Sequence, residues 1–478
     1  MAEVTQYFAT WPWQHWAEER PSAVALSFGA QCVDGECIGE QRFSWAEMSH
    51  RVDEYAQGLI EQGVKRDQMI AIVAPNSIQV IWLILATLRI GARYVGLNPK
   101  NTEIELNEQL ARLNNDYIWY PARTVHQFTT GKRLHLLQPE QPRIVPVTWQ
   151  QTRPATLTLT SGSTGIPKAA VHTAENHLAS AEGLLEMMDF GSDDSWLLSL
   201  PLFHISGLAI FWRWLYRGAK LVVTEPACFE HSLTMVTHAS LVPTQLQRFL
   251  ASKQGEGNDT LRLKQVLLGG AAIPVSLTDA AERIGISCWC GYGMTEMGST
   301  VTAKKADASG GVGTVLGNRN FMIKDSEVYV QGATLCLGYY RNKMIFPACD
   351  GEWFATRDLG EWRGNELHIL GRADNMFISG GENIQPEDVE KVLMTHTSVR
   401  QAFVFPMDDA EFGQRPIAIV DTDSVLSNDV IASLESHMTD NIVSFKRPIR
   451  YLALPKELAT SGIKVSRKQL SEWLAQQL

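Results

Sequence analysis

Between Ala155 and Thr173 the chain reads ATLTLTSGSTGIPKAAVHT. Thr160, Ser161, Gly162, Ser163, Thr164 and Gly165 form an unbroken run of hydroxyls and glycines, followed by Pro167 and Lys168. Such a run suits a polyphosphate: glycines let backbone N–H groups approach oxygens, hydroxyls add donors, and lysine adds a point charge. It is not a Walker loop, which runs G-x-x-x-x-G-K-[ST] into a helix. Here Ala169 follows Lys168, and residues 169–173 read as a strand, as do residues 155–160 before the run. A solvated turn between two strands uses the same residue types, so the run alone leaves both readings open.

A second constellation, Gly291-Tyr292-Gly293-Met294-Thr295-Glu296, follows a strand-like stretch at 287–290. A strand end flanked by glycines can offer an aromatic face to a purine, a hydroxyl to a phosphate and a carboxylate to Mg²⁺. Three more strings complete the set: Thr356-Arg357-Asp358-Leu359-Gly360-Glu361, Gly371-Arg372-Ala373-Asp374 with Ser379-Gly380-Gly381-Glu382-Asn383-Ile384, and Gly462-Ile463-Lys464-Val465-Ser466-Arg467. In this order and spacing they resemble the adenylate-forming superfamily of acyl- and aryl-CoA ligases, luciferase-like enzymes and peptide-synthetase adenylation domains. The resemblance covers essentially the whole chain.

The resemblance implies ATP, Mg²⁺ and coenzyme A as ligands and assigns a role to each motif. Lys464, Thr160, Glu296 and His204 take the catalytic places. Ser161, Gly162, Ser163, Thr164, Gly165, Lys168, Gly270, Tyr292, Gly293, Thr295, Asp358 and Arg372 bind the nucleotide. Asp358 accepts from the ribose hydroxyls, Glu296 holds the metal, Arg372 assists at the nucleotide, and Asp374 is the hinge of a rotating small domain. His204, Gly269 and Arg213 are expected to line the acid's pocket. In most relatives a glycine stands where this chain has Arg357.

Amino-acid-activating relatives carry an aspartate in the loop that here reads Phe203-His204-Ile205-Ser206, without a carboxylate. That points to an acyl or aryl acid. The chain ends at Leu478, soon after Lys464, so the thiol acceptor is expected to be external. The strings WPWQHW, WLLSLPLFHISG, FWRWLY, HASLVPTQL, LLGGAAIP and ATRDLGE resemble the o-succinylbenzoate–CoA ligases of bacterial menaquinone synthesis, and Arg357 fits that group. Its substrate has two carboxylates, one activated and one a spectator that calls for a cation. Arg213, held between Trp212 and Trp214 in an otherwise apolar run, is the candidate, against a purely structural arginine stacked between those rings.

The elements that must position these groups follow from periodicity. Residues 46–62 place Met48, Val52, Tyr55, Leu59 and Ile60 at helical spacing, with Ser44 as N-cap and Gly63 just past the end. Strands at 70–73 and 94–97 flank a helix at 78–89, and a further helix covers 103–113. This alternation predicts an α/β fold: parallel-type sheets with flanking helices, then a β-rich subdomain beyond Gly310 and a small α+β C-terminal domain. Residues 176–188 read as amphipathic. The domain boundary is expected at 371/372, giving an adenylating and acyl-binding domain over 1–371 and a mobile lid over 372–478 that carries the lysine.

At 478 residues with net charge −10 and 45% apolar residues, the chain is predicted to fold as more than one domain. The acidic balance argues against nucleic acid as partner and for small molecules; a homo-oligomer is compatible with it. Seven cysteines without a CxxC pair read as reduced thiols of a cytoplasmic protein, with Cys288 and Cys290 expected on alternate faces of a buried strand. The longest apolar stretch, residues 80–88, is too short to span a bilayer, and no signal peptide is expected at the N-terminus.

Overall fold

The computed structural model describes residues 6–29, 31–33, 36–139, 147–160, 167–253, 261–270, 273–409, 411–459 and 465–477. They form two compact units. The first takes residues 1–320 and 330–354, the second 321–329 and 355–478. The expected boundary at 371/372 lies inside the second unit's span.

Two sheets, of nine and eight strands, build the first unit. The larger is parallel from Val24–Phe28 through Lys220–Val223, Ser195–Leu197, His238–Leu241 and Gln265–Leu268 to Ser287–Met294. Antiparallel strands Gln41–Ser44 and Ser299–Lys305 flank this core. The smaller sheet runs parallel through Tyr117–Trp119, Met69–Val73, Arg93–Leu97 and Pro154–Thr160. It then continues antiparallel into Lys168–Thr173 and Gly338–Arg341.

Local chemistry explains the helices between them. Ser44 caps the helix Trp45–Glu61 through a capping box with Glu47, and Gly63 beyond its end sits at φ 96°. Ser77 caps Ile78–Arg89, a helix buried around nearly its whole circumference, which is why its sequence is so apolar. The helix expected to be amphipathic spans Ala174–Leu185 and is also buried on almost every side. Its polar positions Asn176, His177 and Ser180 are interior, which corrects the amphipathic reading. Cys288 and Cys290 lie two residues apart on one strand and so share a face, not alternate faces. Both are buried thiols outside any disulfide, as are Cys228 and Cys336.

The second unit joins a four-stranded sheet whose strands Phe354–Arg363 and Glu366–Arg372 pair antiparallel, the hairpin Phe377–Ser379/Glu382–Ile384, and a three-stranded sheet of Val399–Asp409, Gly413–Thr422 and Tyr451–Ala453. Helices Pro386–Leu393 and Asn428–Asn441 pack a core of Val389, Leu393, Val404, Val420, Leu434 and Met438. The last helix, Arg467–Ala475, buries Leu470 and Leu474 against Phe405, Ile417 and Ile419. Among the described residues no helix is long and apolar enough to cross a membrane.

Candidate active site

Thr160 ends the strand Pro154–Thr160 and lies opposite Lys168, the first residue of its antiparallel partner. The two therefore stand at the mouth of a hairpin. The loop joining them, with Ser161, Gly162, Ser163, Thr164 and Gly165, lies outside the described residues. Lys168 is exposed, and its Nζ sits 5.1 Å from the centroid of the Tyr339 ring. Tyr339 comes from the next strand, where it pairs with Ala170.

The Tyr339 hydroxyl donates to Glu296 Oε1 at 2.8 Å. Burial, and then Glu296 itself, push the phenol's pKa above its ordinary value, so Tyr339 stays a donor. Thr295 and Glu296 occupy the short 3₁₀ turn Thr295–Met297 that leaves the strand Ser287–Met294, and Gly298 closes it at φ 64°. Cys336 N–H donates to the Glu296 carbonyl at 2.7 Å. Tyr339 carries no pattern that singles it out in sequence; only the register between residues 170 and 339 brings it to the carboxylate.

Other expected groups gather where the parallel strands of the larger sheet end, the side on which open α/β sheets bind ligands. Gly269 and Gly270 follow Gln265–Leu268 directly; Gly270 has φ 84°, and among the described residues nothing would lie within 4 Å of a methyl group at Gly269. Tyr292 and Gly293 lie on the neighbouring strand. After Ser195–Leu197 the chain turns through residues 198–204 under the control of Asn76. That amide donates to the carbonyls of Leu198 at 3.3 Å and Leu200 at 2.8 Å and accepts from Leu202 N–H at 2.9 Å. The turn delivers His204 to the start of the helix Ile205–Arg217. Burial lowers the His204 pKa, so the imidazole is neutral at pH 7.

Arg213 lies in the middle of that helix and is 2% exposed. Its Nη1 reaches Ser240 Oγ at 3.4 Å, and its Cζ lies 5.2 Å from the Trp196 ring centroid. Its buried Nε has no hydrogen-bond partner among the described residues. Burial first, and Arg319 second, lower its pKa to about 9, so it is still a cation at neutral pH. The alternative reading, an arginine stacked between Trp212 and Trp214, is not what the side chain does, since the ring it faces is Trp196. Successive helical residues point about 100° apart, and Trp212 stacks on His177 at 5.1 Å while Trp214 stacks on Trp45 at 5.5 Å. Trp196, Ser240 and Asn76 carry no local signal in the sequence, because each reaches this region from a distant strand or loop.

In the second unit, Asp358 and Arg372 face each other on paired strands, and Arg372 Nη1 donates to Asp358 Oδ1 at 2.8 Å. Arg372 Nη2 also meets Asp374 Oδ2 at 3.1 Å, and Arg357 Nε meets Asp374 Oδ1 at 3.4 Å. Arg357 has φ 64°, the left-handed region. A glycine would adopt this angle without steric cost. The half-exposed side chain makes ion pairs to Glu327 and Asp374, which offset only part of a backbone cost of order 1–3 kcal/mol. Lys464 lies outside the described residues. Just after it Val465 is buried, Ser466 caps the last helix, and Arg467 pairs with Glu390, which also accepts from Val404 N–H at 2.7 Å. Glu390 is invisible in sequence because its partner is remote along the chain.

Comparison with known proteins bears on these residues as a set. A model of the AMP-binding enzyme family matches residues 13–340, and one of the AMP-binding enzyme C-terminal domain matches 388–462. The 2-succinylbenzoate–CoA ligase of Escherichia coli K12 is 44% identical over 471 residues, 98% of this chain and 99% of that protein. A variant of E. coli MenE with bound OSB-AMS superposes with a TM-score of 0.88 at 43% identity, covering 99% of this chain and 100% of that one. The o-succinylbenzoate coenzyme A synthetase from Bacillus subtilis in complex with ATP and magnesium ion superposes with a TM-score of 0.81 at 25% identity, covering 96% and 99%.

Proposed function

The chain belongs to the AMP-binding enzyme family, and from that premise we propose that it is an ATP-dependent ligase joining 2-succinylbenzoate to coenzyme A, a step of menaquinone synthesis. In the first half-reaction an acid oxygen attacks the α-phosphorus of ATP and the bond to pyrophosphate breaks, giving the acyl-adenylate. In the second the coenzyme A thiol attacks the acyl carbon and AMP leaves.

Negative charge on the phosphoryl oxygens needs cations and N–H donors fixed in advance. Thr160, the loop residues Ser161 to Gly165, Lys168 and, during adenylation, Lys464 are proposed to supply them. Tyr292, Gly293, Thr295 and Gly270 hold the base and α-phosphate, and Asp358 with Arg372 holds the ribose. Glu296 would hold Mg²⁺, which neutralises phosphate charge. The residues fit that ion: Mg²⁺ takes one or two carboxylates plus substrate phosphates rather than an all-protein cage. Among the described residues no cluster of three or more His, Cys, Asp or Glu could hold a metal alone. Neutral His204 and Gly269 shape the entry of the acid without adding a charge that competes for its carboxylate.

The observation that carries the choice of acid is Arg213. A guanidinium 2% exposed, with no carboxylate partner among the described residues, is a site prepared for an anion. The spectator carboxylate of 2-succinylbenzoate supplies that anion. Pyrophosphate release should be fastest with this acid in a panel that also holds benzoate, a medium-chain fatty acid and several amino acids. Preference for a monocarboxylate would make the enzyme another acyl- or aryl-CoA ligase. Release coupled to a carrier protein but not to coenzyme A would make it a stand-alone adenylation enzyme.

Residues 372–478 are proposed to rotate as a lid between the half-reactions, with Asp374 as the pivot. Proline at Asp374 fixes φ and removes an N–H. Asp374→Pro should therefore slow thioester formation several-fold more than adenylation in single-turnover assays. Wild-type rates in both would place the pivot elsewhere. A cytoplasmic location is proposed from cysteines that are reduced thiols rather than disulfides.

A further inference from the structure

We infer that Tyr339 is a positioning residue for the metal–phosphate end of this site, holding the Glu296 carboxylate with its hydroxyl and the Lys168 ammonium with its ring. The inference rests on the reading of Glu296 as the Mg²⁺ ligand. Three observations carry it. The hydroxyl lies 2.8 Å from Glu296 Oε1. The ring centroid lies 5.1 Å from Lys168 Nζ. The backbone of Tyr339 is fixed independently by pairing with Ala170, so strand register does not depend on the side chain.

The physical consequence is directional. A carboxylate on a 3₁₀ turn has freedom about its side-chain bonds, and a hydrogen bond to one oxygen leaves the other oxygen turned toward the cation. Lys168 starts a strand at an exposed position, where a flexible ammonium loses entropy on binding phosphate. An aromatic face within about 6 Å reduces that loss by holding the charge beforehand. One side chain thus pre-arranges a metal ligand and a phosphate ligand that lie far apart in sequence.

Substitution separates the two functions. Tyr339→Phe removes the hydroxyl and keeps the ring; Tyr339→Leu removes both. Binding of α,β-methylene-ATP would be measured by calorimetry with and without Mg²⁺, alongside thermal unfolding. Tyr339→Phe should raise the Mg²⁺ concentration for half-maximal analogue binding roughly tenfold, the scale of a charge-assisted hydrogen bond. Metal-free binding should stay within about twofold of wild type. Tyr339→Leu should in addition weaken metal-free binding roughly fivefold. Glu296→Gln is the control. If Glu296→Gln shifts the Mg²⁺ dependence and Tyr339→Phe does not, the positioning inference is wrong while the metal reading stands. If neither variant shifts it, the metal reading of Glu296 falls and takes the inference with it.

Discussion

Replacing Lys464 with alanine is expected to slow acyl-adenylate formation by roughly a hundredfold or more, the scale on which removal of one transition-state donor acts. Thioester formation from supplied acyl-adenylate should survive. The lysine is proposed to meet the phosphates and the acid only while the lid is in its adenylating position, so the second half-reaction does not use it. The anchors that follow it are untouched by the change: Val465 stays in the core, Ser466 still caps the last helix, and Arg467 still pairs with Glu390. The variant should therefore unfold at the wild-type temperature. Equal losses in the two half-reactions would remove Lys464 from the role assigned to it.

The second large effect concerns the acid alone. Arg213→Ala should raise the KM for 2-succinylbenzoate roughly tenfold or more, from loss of a charge-assisted hydrogen bond worth about 1.5–3 kcal/mol. The KM for ATP should hardly change, and a monocarboxylate analogue should lose little. Arg213→Lys keeps a charge without the planar fork and should fall between. Arg213→Met sharpens the comparison, because a buried charge without a carboxylate partner costs stability in the free protein. It should melt no lower than wild type while binding the acid as poorly as the alanine variant. A sharp fall in melting temperature for both variants with an unchanged KM would make Arg213 a structural residue.

Contiguous strings are the legible part of this sequence. The flanks of the proposed phosphate loop are the paired strands that their alternation suggests, and Ser44 and Gly63 bound their helix as expected. The chemistry of those places lies in neighbouring residues, where local spacing carries the signal. What the sequence does not show arises from register and burial. Tyr339 meets Glu296 only through pairing with Ala170. Arg213 faces Trp196, a partner on a separate strand, rather than its chain neighbours. The helix Ala174–Leu185 has the pattern of a half-exposed one because its polar residues are interior and satisfied by partners such as Gly298 and Thr156. The left-handed backbone at Arg357 is likewise something composition does not encode.

The strand Ser287–Met294 sets a limit on how this family of sites can diversify. A methyl group at Gly291 would lie 2.1 Å from the Thr302 carbonyl oxygen, and one at Gly293 would lie 2.0 Å from that of Ser299. Both distances are to backbone, which cannot swing aside as a flexible side chain can. Every substitution at these glycines must therefore open the sheet before it touches a ligand. Tyr292, between them, carries no such ban. Steric tolerance along this segment is thus confined to alternate positions: residue 292 has room for other side chains, while the spacing that presents it is frozen by its neighbours' lack of one.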